Sequence, residues 1–149
     1  MKLAWILWMA QLLPQPIADP LCLTTTVYLE ARDQAPLGQQ AVAEVAMRRR
    51  ESGRWGDSVC EVVTARGQFA PAIVHPGHRL KNPEAWHASA MVAFQVYREW
   101  QRAPGQRQEV VPGASHFVAH ALANPAWTGA PAVARIGDHT FYEVERLAP

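Results

Sequence analysis

Cysteine, net charge and long apolar runs are all scarce in this chain, and each scarcity excludes something. Two cysteines, Cys22 and Cys60, among 149 residues allow at most one internal disulfide. The formal net charge is only +1, which gives no argument for nucleic acid as a partner. The apolar stretch from Leu3 ends at Leu13, ahead of Pro14 and Pro16, and falls short of the roughly 20 residues that cross a bilayer. No internal repeat and no low-complexity segment is present. Neither a His-Glu-x-x-His helix nor a Gly-x-Ser-x-Gly elbow occurs, so zinc-peptidase and serine-hydrolase chemistry lack their usual scaffolds.

Apolar content, in contrast, is ample. With 49% hydrophobic and 18% charged residues the chain is neither disordered nor fibrous, and its length suits one domain with its own core. Met1-Lys2, the Leu3–Leu13 stretch and small Ala18 read as an export signal, either cleaved or retained as an N-terminal anchor. That divides the chain into residues 1–18 and a domain over residues 19–149, placed in the periplasm or cell wall and expected to be a monomer. Membrane contact is expected only through an uncleaved N-terminal segment. In an exported domain two cysteines tend to pair, which predicts a Cys22–Cys60 disulfide; the alternative is two buried thiols.

Local signals then set out the elements. Asp19-Pro20 reads as the start of a helix running to about Arg32, although Thr24-Thr25-Thr26 is a poor helical run that packing must hold. A second helix starts near Pro36 and fades at Glu51-Ser52-Gly53; Arg48-Arg49-Arg50 near its end reads as a solvated basic terminus. Ser58-Val59-Cys60-Glu61 matches a capping box and predicts a short helix over about 59–65. Residues 66–82 form a long loop rich in Gly and Pro. Asn82-Pro83 opens a helix with Trp86, Ala90, Ala93, Phe94, Tyr97 and Trp100 on one stripe, stopped by Pro104-Gly105. Val133–Ile136 and Thr140–Val144 flank Gly137-Asp138 as a β-hairpin. The sum is a mainly α (α+β) single domain.

Glu30 is the residue with most chemical promise. It sits among apolar neighbours in Val27-Tyr28-Leu29-Glu30-Ala31-Arg32, a setting that desolvates a carboxylate and raises its pKa towards that of a working general acid. With Gly38-Gln39-Gln40-Ala41-Val42-Ala43, Ser58-Val59-Cys60-Glu61-Val62-Val63, Gln68-Phe69, Gly113-Ala114-Ser115-His116-Phe117 and Ala134 to Tyr142, this motif resembles the SleB/CwlJ-type cell-wall hydrolase family, from about Cys22 to Tyr142. No one block is specific; their order and spacing are. The resemblance implies a lysozyme-like fold and cleavage of peptidoglycan between N-acetylmuramic acid and N-acetylglucosamine. It also implies Glu30 as general acid and 1,6-anhydromuramoyl ends, the product of a lytic transglycosylase that needs no metal or cofactor.

Supporting roles follow from residue chemistry. Gln68 suits hydrogen bonding to a sugar amide or hydroxyl, Ser115 and His116 suit orienting substrate or carboxyl, and Tyr142 suits pointing its hydroxyl into a cleft. Phe69 sits between a cleft wall and core packing, and Trp55 and Trp127 between sugar stacking and packing. A hydrolytic variant needs a second carboxylate, for which Asp33, Glu44 and Glu61 are the candidates. The chain departs from the family where Asp33-Gln34 replaces Gly-Glu, Ala70-Pro71 replaces Ser-Trp and Val118 replaces a second histidine. Two other readings compete. A zinc amidase would draw on His75, His78, His116 and His120. A non-catalytic module would bind peptidoglycan without cutting it. Ser115 directly precedes His116, so their side chains are expected to diverge.

Overall fold

The computed structural model describes residues 1–119 and 121–144. Five α-helices lie within them: α1 (Leu3–Ala10), α2 (Gln15–Ala31), α3 (Pro36–Ser52), α4 (Val59–Thr64) and α5 (Pro83–Glu99). Three short strands follow: β1 (His116–Ala119), β2 (Ala132–Ile136) and β3 (His139–Tyr142). The architecture is the mainly helical domain with a small C-terminal sheet that the sequence predicts.

α2 is the central helix and packs against each of the other four. Its Leu23 and Val27 meet Val42, Val45 and Met47 of α3 and Val59, Val62 and Val63 of α4 in one core, closed by Phe141 from the sheet. The threonine run tolerates complete burial because each hydroxyl donates to the carbonyl four residues back, Thr24 to Pro20 at 2.7 Å, Thr25 to Leu21 at 3.0 Å and Thr26 to Cys22 at 2.9 Å. The helix begins at Gln15 rather than at Asp19, so Pro20 lies inside it. Asp19 is no N-cap of its own helix. It is fully buried and accepts the Val59 N–H at 2.9 Å and a hydrogen bond from Gln15 at 3.0 Å, which ties α2 to the start of α4.

That junction holds the Cys22–Cys60 disulfide, whose Cα atoms are 5.2 Å apart. Ser58 caps α4 as predicted, its hydroxyl accepting the Glu61 N–H at 3.1 Å. The box is not reciprocal, since Glu61 turns back to accept from the Asp57 N–H at 2.7 Å. α3 begins at Pro36 and ends at Gly53, whose φ of 70° only glycine adopts cheaply.

The buried face of α5 differs from the predicted stripe. Ser89, Ala93, Val96 and Trp100 form it, while Trp86 and Tyr97 are half-buried and Phe94 is exposed. The sheet, in the order β1-β3-β2, is antiparallel throughout. β2 and β3 make the predicted hairpin, with Gly137 at φ 57° in its turn, where a Cβ would run into the Gln34 amide. β3 starts at His139 and stops at Tyr142, slightly earlier than expected, and β1 is a strand the sequence did not reveal. Loop residues between α4 and α5 include a 3-10 turn, Ala70–Ile73, that reaches the C-terminal end of α2.

Candidate active site

Glu30 stands in the last turn of α2, facing that 3-10 turn. One carboxyl oxygen, Oε1, accepts the Ala70 N–H at 2.6 Å. Burial raises the carboxyl pKa above its ordinary range, and the Ala70 bond and the Arg49 charge pull it back only in part. A protonated carboxyl is therefore retained to higher pH than on a solvated glutamate.

Arg49 is the counter-charge and the hub of the site. Its guanidinium is buried; Nε donates to the Ser115 carbonyl at 2.8 Å and Nη1 to Gln68 Oε1 at 2.8 Å. The same group lies 4.9 Å from the Trp55 ring centre and 4.8 Å from that of Phe69. Burial pushes its pKa down to about 10, with Glu30 opposing the fall, so it remains a cation at neutral pH. One side chain from α3 thus joins α2, the loop after α4, and the segment entering β1.

Arg49 also lines an open cavity of about 680 Å³, together with Arg48, Arg54, Trp55, His116 and Trp127. The His116 ring lies between two indoles, 6.1 Å from Trp55 and 4.9 Å from Trp127. Burial first, then the Arg49 and Arg54 charges, push its pKa down to about 4, so the imidazole is neutral. The expected divergence of Ser115 and His116 is corrected: Ser115 Oγ and His116 Nδ1 are 2.9 Å apart. On a neutral ring the tautomer sets which of the two donates in that contact, and Ser115 Oγ also accepts the Val144 N–H at 3.2 Å. The backbone turn into β1 bends the two neighbouring side chains together.

The other residues singled out in the sequence divide between site and packing. Trp55, Ser115, His116 and Trp127 meet in the cavity, and Gln68 uses its amide oxygen on Arg49. Phe69 is buried, tilted on Phe117 at 6.0 Å. Tyr142 is buried on β3 with its ring edge-on to Trp127 at 5.5 Å. Among the candidate second carboxylates, Glu44 is buried and accepts the Val110 and Val111 N–H groups, each at 2.9 Å. Glu61 is held by Asp57, and Asp33 is exposed beyond the end of α2. Gln34, where the family pattern has an acid, joins this helix end to the hairpin turn: it donates to Asp138 Oδ2 at 2.9 Å and accepts the Asp138 N–H at 3.1 Å.

His75 and His78 are exposed in the loop, and His120 lies outside the described residues. Among the described residues no three His, Cys, Asp or Glu side chains come together as ligands for a metal. The reading of Arg48–Arg50 as a solvated terminus is corrected. Arg49 continues the buried stripe of Val42 and Val45, a helical spacing that carried the signal and was outweighed by its charge.

No curated protein matches the chain. Among solved structures it is similar to the catalytic domain of the germination-specific lytic transglycosylase SleB from Bacillus anthracis. The two share 21% identity and a TM-score of 0.63 over 83% of this chain and 93% of that one, a likeness of fold. The pattern of the cell wall hydrolase family matches residues 33–142, starting just past Glu30 and taking in Arg49, the cavity's aromatic residues and the sheet. On that match, over a lysozyme-like helical fold, the chain belongs to the cell wall hydrolase family.

Proposed function

We propose that the protein cuts the glycan strands of peptidoglycan between N-acetylmuramic acid and N-acetylglucosamine as a lytic transglycosylase, with Glu30 as acid and then base. The observation that carries this is the environment of Glu30: a carboxyl whose burial favours the protonated form, with one oxygen on the Ala70 N–H and a fixed cation, Arg49, beside it. The protonated carboxyl gives its proton to the glycosidic oxygen as the bond to the muramoyl C1 breaks. Arg49 stabilises the carboxylate left behind. That carboxylate then takes the proton of the C6 hydroxyl as its oxygen closes on C1, which restores the acid and forms the anhydro ring.

One carboxylate suffices for this cycle. Hydrolysis would call for a second carboxylate; Glu44 is buried on the Val110 and Val111 N–H groups and Glu61 accepts the Asp57 N–H, which leaves the exposed Asp33 as the candidate for it. The cavity with Trp55, His116 and Trp127 offers apolar ring faces against which a sugar can stack. The substrate lies outside the cytoplasm, so we assign residues 1–18 to export or N-terminal anchoring and residues 19–149 to catalysis, in a monomer acting in the periplasm or wall.

The test is digestion of purified peptidoglycan by the full chain with mass spectrometry of the fragments. Anhydromuramoyl ends, one water lighter than hydrolysis products, are expected, and Glu30→Gln should abolish them. Reducing muramic ends from the wild type would refute transglycosylation, and cleavage by Glu30→Gln at more than roughly a few per cent of the wild-type rate would refute the assignment of Glu30.

A further inference from the structure

We propose that residues 1–18 stay on the folded protein as an in-plane foot that seats it on an anionic lipid bilayer. The proposal concerns a surface away from the cavity and does not rest on the cleavage chemistry.

The segment is built into the domain. Leu3, Ile6, Leu7 and Ala10 of α1 face inward; Leu3 and Ile6 pack with Tyr28, whose ring meets Trp86 at 5.7 Å. Backbone bonds tie it to the loop before α5: the Leu3 N–H donates to the His78 carbonyl at 3.0 Å and the Leu80 N–H to the Met1 carbonyl at 2.7 Å. α2 itself starts at Gln15, so scission after Ala18 would cut through its first turn and uncover Tyr28, which is now 2% exposed.

The opposite stripe of the same segment is uncovered among the described residues. Trp5, Trp8, Met9, Leu12, Leu13 and Ile17 are each between 41% and 68% exposed, and the first four recur at helical spacing. A run of exposed large apolar side chains of this kind on a folded domain marks a contact surface. Charge identifies the occupant. Residues 1–18 contain one cation, Lys2, and no acid. Lys2 forms a backbone bridge with Arg79 and holds its ammonium 5.5 Å from the Trp5 ring. Arg79 and Lys81 are exposed beside it, and none of the three is in an ion pair among the described residues.

Tryptophans on an apolar ridge with a cationic rim complement the acyl–headgroup boundary of an anionic membrane, where indoles and lysines are both favoured. α1 has 8 residues, and no helix among the described residues is long and apolar enough to cross a membrane, so the segment lies along the surface. A second copy of the chain would offer the ridge apolar cover but bring a like cationic rim with it.

Cosedimentation of the full chain with vesicles tests this, using phosphatidylethanolamine–phosphatidylglycerol and, for comparison, phosphatidylcholine alone. Binding to the anionic vesicles is expected. Trp5→Ala with Trp8→Ala should reduce it at least tenfold on both vesicle types. Lys2→Gln, Arg79→Gln and Lys81→Gln together should reduce it on the anionic vesicles alone, by roughly fivefold per cation. Should the tryptophan pair lower the melting temperature, Leu12→Gln on the turn after α1 makes the same test. Wild-type protein left in the supernatant would overturn the proposal. So would a dimer abolished by the tryptophan pair without vesicle binding, or an exported protein whose intact mass lacks residues 1–18.

Discussion

Replacing Arg49 by methionine keeps an aliphatic stem of similar length in the core and deletes the guanidinium. Two buried acceptors, the Ser115 carbonyl and Gln68 Oε1, then lose charge-assisted donors held at 2.8 Å each. Leaving such groups unmatched costs about 1–3 kcal/mol apiece, and the lost attraction to the Trp55 and Phe69 rings adds to it. Removing one member of a buried charged cluster has a net cost of about 3–5 kcal/mol, which we expect for Arg49→Met in urea denaturation at pH 7. The variant should also change the pH dependence of cleavage. Arg49 holds the Glu30 pKa down, so without it Glu30 stays protonated to higher pH and the alkaline limb of the rate profile moves upward. Arg49→Lys retains the charge but not the planar fork, so the limb should stay in place while part of the stability is lost. An Arg49→Met protein within 1 kcal/mol of wild type, with an unmoved limb, would refute the account of Arg49 as hub.

Glu30→Gln should lower the cleavage rate by about 10²–10⁴, the usual contribution of a general acid. It should also stabilise the fold at neutral pH. A raised native pKa means the folded state holds the proton more tightly, so wild-type stability falls as pH rises from the ordinary value of 4.5 through the native one, and glutamine escapes that fall. Melting temperatures of the two proteins should converge below that value; a variant no more stable than wild type at pH 8 would be inconsistent with the burial of Glu30. Replacing Cys22 and Cys60 together by alanine opens a bridge spanning 38 residues and should cost about 4 kcal/mol on a chain-entropy view. A loss below 1 kcal/mol would count against a formed disulfide. His116, with its pKa near 4, should stay neutral at pH 5.5 in an NMR titration, and its share of the stability should be lost only as pH falls from 6.5 towards 4. A midpoint near 6.5 would mean that His116 is neither desolvated nor held beside the Arg49 and Arg54 charges as described.

Membership of the cell wall hydrolase family places the reaction at a polymer rather than a small molecule, and the site is shaped accordingly. A cavity open to solvent, walled by indoles and a neutral imidazole, lies on the other side of Arg49, the residue that links it to Glu30. The elements of the proposed chemistry come from three separate parts of the chain: Glu30 from α2, Arg49 from α3, and the Ala70 N–H from the 3-10 turn. The disulfide and the buried Asp19 lock α4, which precedes that turn, onto α2. Strain on that junction would thus be felt at the hydrogen bond to Glu30.

Much of this was legible in the sequence because it depends on neighbours along the chain. Pro36 and Gly53 bound α3, Ser58 caps α4, Gly137 turns the hairpin, and the apolar flanks of Glu30 foretell its desolvation; each acts within about one helical turn or one hairpin. The strand β1 was not legible, since His116–Ala119 becomes a strand by pairing with β3, a partner distant along the chain, from Ala119 with His139 to His116 with Tyr142. Nor was the outward turn of Phe94, which fits a helical stripe as well as Ser89 does until the neighbours of α5 choose a face. Arg48, Arg49 and Arg50 show the division most sharply. As sequence they are one basic run, and local chemistry treats them alike. On the helix they point about 100° apart: Arg48 to Glu109, Arg49 to Gln68 and the Glu30 site, Arg50 to Asp19 beneath α4. The sequence determined that a helix would end in three cations; only the packing of α2, the loop after α4 and the sheet around it decided which one became part of the site, because burial and charge pairing depend on what lies across the gap rather than on what lies next along the chain.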